Sequence, residues 1–82
     1  MKVFLSRKAE KALEDVPSEI RQRLDERIFE LSRTPFPEGC KKLRGARNAY
    51  RLRVGDYRIL YVLLKKDEIL VFKIARRETA YD

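Results

Sequence analysis

The sequence predicts an α+β fold over residues 1–82: a short N-terminal strand, an α-helical hairpin, then a three-stranded antiparallel meander, in the order β-α-α-β-β-β. Three observations predict it. Apolar residues recur at helical spacing between Ala9 and Leu31. From Tyr50 onward the pattern alternates residue by residue, and Gly55-Asp56 divides it as a two-residue hairpin turn. Between the halves, Pro35, Pro37 and Gly39 break both patterns.

Taken in order, Lys2 to Leu5 reads as an edge strand. Ser6 is a helix N-cap, and Ala9, Ala12, Leu13 and Val16 form one apolar stripe behind it. Pro17 disfavours helical geometry at Val16, so the first helix stops there. The same proline suits the first turn of a second helix, with Glu19 placed favourably in the dipole. Ile20, Leu24, Ile28 and Leu31 give that helix its buried stripe. The charges between them, Arg23 included, read as solvated surface of mixed sign.

Phe36, between two prolines, is expected to anchor the crossing segment on the core. Lys41, Lys42, Arg44 and Arg47 follow as four cations in seven residues. The first meander strand then sets Arg51 and Arg53 on one side and Leu52 and Val54 on the other. Glycine leading the turn suits type II′. The returning strand carries Tyr57, Ile59, Tyr61 and Leu63 on one parity and Arg58, Leu60 and Val62 on the other. After a polar turn at Lys65 to Glu68 comes a strand from Ile69 to Ala75. Strict alternation there would place Leu70, Phe72 and Ile74 on one face, and Ile69, Val71, Lys73, Ala75 and Arg77 on the other.

Composition narrows the chemistry. A chain of 82 residues supports one modest core. Its net charge of +7 calls for an acidic partner: nucleic acid, an acidic protein or a membrane surface. The single cysteine, Cys40, excludes an internal disulfide, and the absence of histidine excludes histidine bases and the usual zinc sites. No metal and no cofactor is expected. No apolar run approaches the ~20 residues of a membrane span. The opening MKVFLSRKAEK lacks the apolar stretch of a secretory signal, so a cytoplasmic location is expected.

Arg51, Arg53, Arg58, Arg77 and Tyr81 come from the meander and the chain's end, and a meander can converge them on one concave basic surface. Lys41, Lys42, Arg44, Arg47, Lys73 and Arg76 are the flanking cations expected to bind RNA. Guanidiniums bind phosphate bidentately and stabilise charge that builds on it during RNA cleavage. A tyrosine can stack on a base. On spacing alone, three readings stand side by side: phosphate chemistry, nucleic-acid or acidic-partner binding, and plain solvated surface.

The order KLRG, then the basic strand YRLRV, then GDYRILY, then an apolar strand ending in RRE with a late tyrosine, resembles the RelE/ParE toxin superfamily. The likeness runs over essentially the whole chain. It implies a RelE-like fold and, for the RelE branch, a ribosome-dependent endoribonuclease (messenger-RNA interferase). In that resemblance the family's two strand lysines fall at Arg51 and Arg53, its arginine after the turn at Arg58, its last-strand arginine at Arg77 and its late tyrosine at Tyr81. Both lysines are arginines here, which weakens a proton-transfer role at those positions because arginine stays protonated. The spacing from Arg77 to Tyr81 is shorter than in some relatives. The missing histidine and the lack of a C-terminal helix argue against a YoeB-like site. The resemblance further implies a RelB-like antitoxin in a hetero-oligomer, with the ribosome and messenger RNA as targets. The alternatives are a ParE-like DNA gyrase poison and an inactive RNA-binding relative.

Overall fold

The computed structural model describes residues 1–76. Its elements are β1 (Lys2–Leu5), α1 (Arg7–Asp15), α2 (Ser18–Leu31), β2 (Cys40–Lys42), β3 (Ala49–Val54), β4 (Tyr57–Lys65) and β5 (Glu68–Arg76). The strands form one sheet in the order β1-β5-β4-β3-β2.

Local chemistry sets the helix boundaries. Ser6 Oγ accepts a hydrogen bond from the Ala9 amide at 3.1 Å and caps α1. Val16 is extended at ψ 155°, as a residue before proline prefers. Pro17 occupies the cap position of α2, one residue earlier than the first-turn place expected for it. From α2, Leu24 and Leu31 are wholly buried, and Ile20 and Ile28 pack beside them. With Ala9 and Leu13 of α1 they cover Leu52, Ile59, Tyr61, Ile69 and Val71 of the sheet. Each large apolar side chain so buried contributes about 1.5–3 kcal/mol.

The hairpin turn is as the sequence dictates. Gly55 has φ +60° while no residue other than glycine has positive φ among the described residues. Positive φ at the first turn position only is the type II′ pattern.

Three features of the sheet differ from the sequence reading. The sheet is mixed: β1 runs parallel to β5, with Val3 opposite Ile69 and Leu5 opposite Val71. Two helices and three strands separate β1 from β5, and such a crossing permits parallel pairing. A fourth strand precedes the meander, since Cys40 to Lys42 pair antiparallel with Leu52 to Tyr50. Its three residues are too few to show alternation in the sequence.

The third difference is a bulge. Leu60 pairs with Lys73, but its neighbour Tyr61 pairs with Val71, so Phe72 is an extra residue on β5. One inserted residue inverts the parity beyond it. Ile69 and Val71 therefore join Ile74 in the helix-covered core, and Phe72 joins Lys73 on the opposite side. The strict alternation read along this strand is corrected accordingly.

Phe36 is half exposed rather than buried. Its ring meets Tyr50 edge-on at 5.2 Å, and Tyr50 stacks on Tyr61 at 5.8 Å. The crossing segment is held in part by the buried Tyr61, whose hydroxyl donates to the Pro35 carbonyl at 2.7 Å, and by Arg27 Nη2, which donates to the Glu38 carbonyl at 2.6 Å. No helix among the described residues is long and apolar enough to cross a membrane.

Candidate nucleic-acid interface

The helices cover one face of the sheet and leave the other open. Register decides which side chains meet there. Residues paired across neighbouring strands share a face, with Cα atoms about 4.5–5.5 Å apart. One row across the open face therefore reads Lys41, Arg51, Leu60, Lys73. The adjacent row reads Arg53, Arg58, Ala75. Five cations from four strands thus occupy two neighbouring rows, and Arg53 lies directly opposite Arg58.

A hollow of about 230 Å³ opens among Gly39, Lys41, Arg51 and Arg53. Arg51 and Arg58 are partly sunk into the face, with their Nε atoms buried. Arg53 and Lys41 are exposed. The buried stems fix where the guanidinium ends project, which favours bidentate recognition of a phosphate over a loose screening of charge.

The basic loop is also built onto this face. Leu43 is buried against Ala49 and Leu60, with Ala46 and Phe72 packed around them. The Leu43 amide donates to the Ala49 carbonyl at 2.8 Å, and the Leu63 amide donates to the Asn48 carbonyl at 2.9 Å. Gly45 makes the turn at φ +76°. Arg44 and Arg47 stay exposed on this anchored loop. Leu43 lies inside a run of cations, and its role as a small second core was invisible in the sequence.

Two of the flanking cations sit elsewhere. Lys42 pairs with Tyr50 and so shares the other face at the sheet edge. Arg76 pairs with Tyr57, also on the helix-facing side, and its Cζ lies over the Tyr57 ring at 6.0 Å from the centroid. The structure thus separates Arg76 from Arg51, Arg53 and Arg58. Arg77 and Tyr81 lie outside the described residues.

Among the described residues the face lacks ordinary acid–base machinery. The paired rows contain no carboxylate, and the chain has no histidine. Among the described residues no cluster of histidine, cysteine, aspartate and glutamate could hold a metal ion. What the arrangement offers is fixed positive charge and hydrogen-bond donors, suited to a polyanion. Alternation along β3 puts Arg51 and Arg53 on one side, and the register across the turn sets Arg58 opposite Arg53 on that same side. Lys41, a flanking cation by sequence, joins them because β2 pairs it with Arg51.

Comparison with known proteins agrees with this architecture. Residues 3–81 match the family described as the ParE toxin of type II toxin–antitoxin systems. RelE1 of Methanocaldococcus jannaschii is 36% identical, over 96% of this chain and 92% of its own length. The crystal structure of the archaeal RelE–RelB complex from Pyrococcus horikoshii OT3 contains a chain with TM-score 0.82 and 30% identity, covering 96% of this chain and 97% of that one. The RelB–RelE antitoxin–toxin complex from Methanococcus jannaschii gives TM-score 0.79 at 30% identity, over 96% and 95%.

Proposed function

The chain belongs to the RelE/ParE family of type II toxins, and we propose that it is a ribosome-dependent endoribonuclease that cleaves messenger RNA in the A site. The observation that carries this reading is the register of β2 to β5, which lines up Lys41, Arg51, Arg53, Arg58 and Lys73 on the one face the helices leave open.

In the proposed reaction the 2′-hydroxyl oxygen of a messenger ribose attacks the adjacent phosphorus. The new O2′–P bond forms as the P–O5′ bond breaks. The products are a 2′,3′-cyclic phosphate and a 5′-hydroxyl, which takes up a proton as the 2′-hydroxyl loses one. Negative charge builds on the phosphate oxygens in the transition state. Arg58, with Arg77, stabilises it; donors preset toward such charge are worth more there than in water. Arg51 and Arg53 position the phosphate and favour ionisation of the 2′-hydroxyl electrostatically. Being guanidiniums, they hold their protons throughout. Tyr81 stacks on or orients a messenger base. Lys41, Lys42, Arg44, Arg47, Lys73 and Arg76 contact ribosomal and messenger phosphates, a term that weakens as salt rises. The reaction needs no cofactor and takes place in the cytoplasm.

A RelB-like antitoxin is the proposed partner, in a toxin–antitoxin hetero-oligomer. The two similar archaeal structures are complexes of that kind, and a chain of net charge +7 suits an acidic one.

The test is translation of a reporter message in vitro with mapping of its new 5′ ends. The full-length chain should cut the message only on ribosomes. Arg58→Ala should reduce cutting by about 100-fold or more, the usual effect of losing one charge-stabilising donor. An intact message with the wild-type chain, or equal cutting by the variant, defeats the assignment. A gyrase-poison reading draws on the ParE description of the matched family. It predicts instead that the chain stalls DNA supercoiling by purified gyrase and leaves messages whole.

A further inference from the structure

A second basic site lies on the other side of the hairpin, and the proposed function does not use it as such. A cleft of about 310 Å³ separates the start of α2 from the β3–β4 turn. Pro17, Ile20 and Val54 supply apolar wall; Tyr57 supplies a ring; Arg23 and Arg76 supply two guanidiniums.

Arg23 is the unusual member. On the same helix, Arg21 pairs with Asp25 at 3.8 Å and Arg27 pairs with Glu30 at 2.6 Å. Arg23 makes no ion pair with any described residue. Its guanidinium instead rests against the turn, where a β-carbon added to Gly55 would lie 3.4 Å from Nη1. A β-carbon there would be in ordinary van der Waals contact with it, so the guanidinium lies directly against the turn.

We propose that this cleft binds one nucleotide unit of single-stranded RNA, its phosphate between Arg23 and Arg76 and its base or ribose on the Tyr57, Ile20 and Val54 wall. The combination of an aromatic face, apolar wall and paired guanidiniums is that of a stacking platform with a phosphate clamp. The volume lies at the lower end of ligand sites generally, which suits one nucleotide and not a duplex. Open-face Arg53 and Arg58 flank the same turn, so an RNA strand leaving that face reaches the cleft by rounding the hairpin tip. Asp56 also lines the cleft and opposes a phosphate there. The proposal rests on the reading of this chain as directed at RNA, and gives Arg76, together with Arg23, a defined contact on the helix-facing side.

The test is NMR titration of the full-length chain with a single-stranded pentaribonucleotide. The Gly55 and Asp56 amides and the Arg23 Nε–H should shift. Arg23→Ala should weaken the affinity by about tenfold and lower the salt slope by about one. Asp56→Asn should tighten binding by about twofold to fivefold, since it removes a like charge beside the phosphate. Shifts confined to the open face, or an Arg23→Ala variant that binds like wild type, overturn the cleft. Equal shifts with the deoxyribose pentamer overturn its assignment to RNA. Message cleavage persisting without cleft shifts removes the cleft alone, whereas cleft shifts with an intact message remove the proposed cleavage alone.

Discussion

The two faces of the sheet are drawn from the same five strands and meet opposite requirements. The covered face is apolar and closed: Leu52, Ile59, Tyr61, Ile69 and Val71 are wholly buried beneath Leu24 and Leu31. The open face mixes a small satellite core at Leu43, Ala49 and Leu60 with a field of like charges. Arg53 opposite Arg58 is a pairing that stability would select against, because like charges directly across a ladder repel. The difference teaches where stability resides and where positive charge is displayed. The covered face holds the strands in register, and that register presents the cations of the open face.

Substitutions should separate the faces. The largest expected effect is on the covered side: Leu24→Ala should cost about 2–5 kcal/mol, as losses of wholly buried leucines do, measured by urea unfolding. A loss below about 1 kcal/mol would mean that α2 does not clamp the sheet.

Tyr61→Phe should cost less, about 1 kcal/mol at neutral pH, by removing the bond to Pro35. The same variant has a pH signature. Burial, then the contact with Cys40, raises the Tyr61 pKa above its ordinary 10.0. The fold holds the protonated phenol. Its contribution is complete below about pH 10 and declines above it, as the unfolded chain gives up its proton first. Urea midpoints between about pH 8 and about pH 11 should therefore fall less steeply for Tyr61→Phe than for wild type. Parallel slopes would refute the buried, protonated phenol.

The smallest effect on stability belongs to the open face. Arg53→Ala should raise stability by a few tenths of a kcal/mol, by relieving the pairing with Arg58, while message cleavage falls. A variant that loses stability and activity together would show that the arginine serves the fold and not the site.

Much of this was legible in the chain. Ser6 as a cap, the stop before Pro17, the stripe Ile20, Leu24, Ile28 and Leu31, and the Gly55-Asp56 turn each depend on residues close together in sequence. Arg51 and Arg53 could be grouped because β3 keeps strict alternation, and the two-residue turn sets Arg58 opposite Arg53. Arg23 was not legible. It looks like any charge on a helix of mixed sign, and only the approach of Gly55 distinguishes it.

What the sequence by itself determined, then, is every feature governed by local sterics and short-range hydrogen bonds: caps, breakers, turn type, and the side of a strand within one uninterrupted run. Tertiary structure decided the rest. It set β1 parallel beside β5, made Cys40 to Lys42 a strand and inserted Phe72 as a bulge. Each of these depends on which strand lies alongside and in what register. A single extra residue in one partner reverses the facing of everything beyond it, at no cost that the local sequence registers.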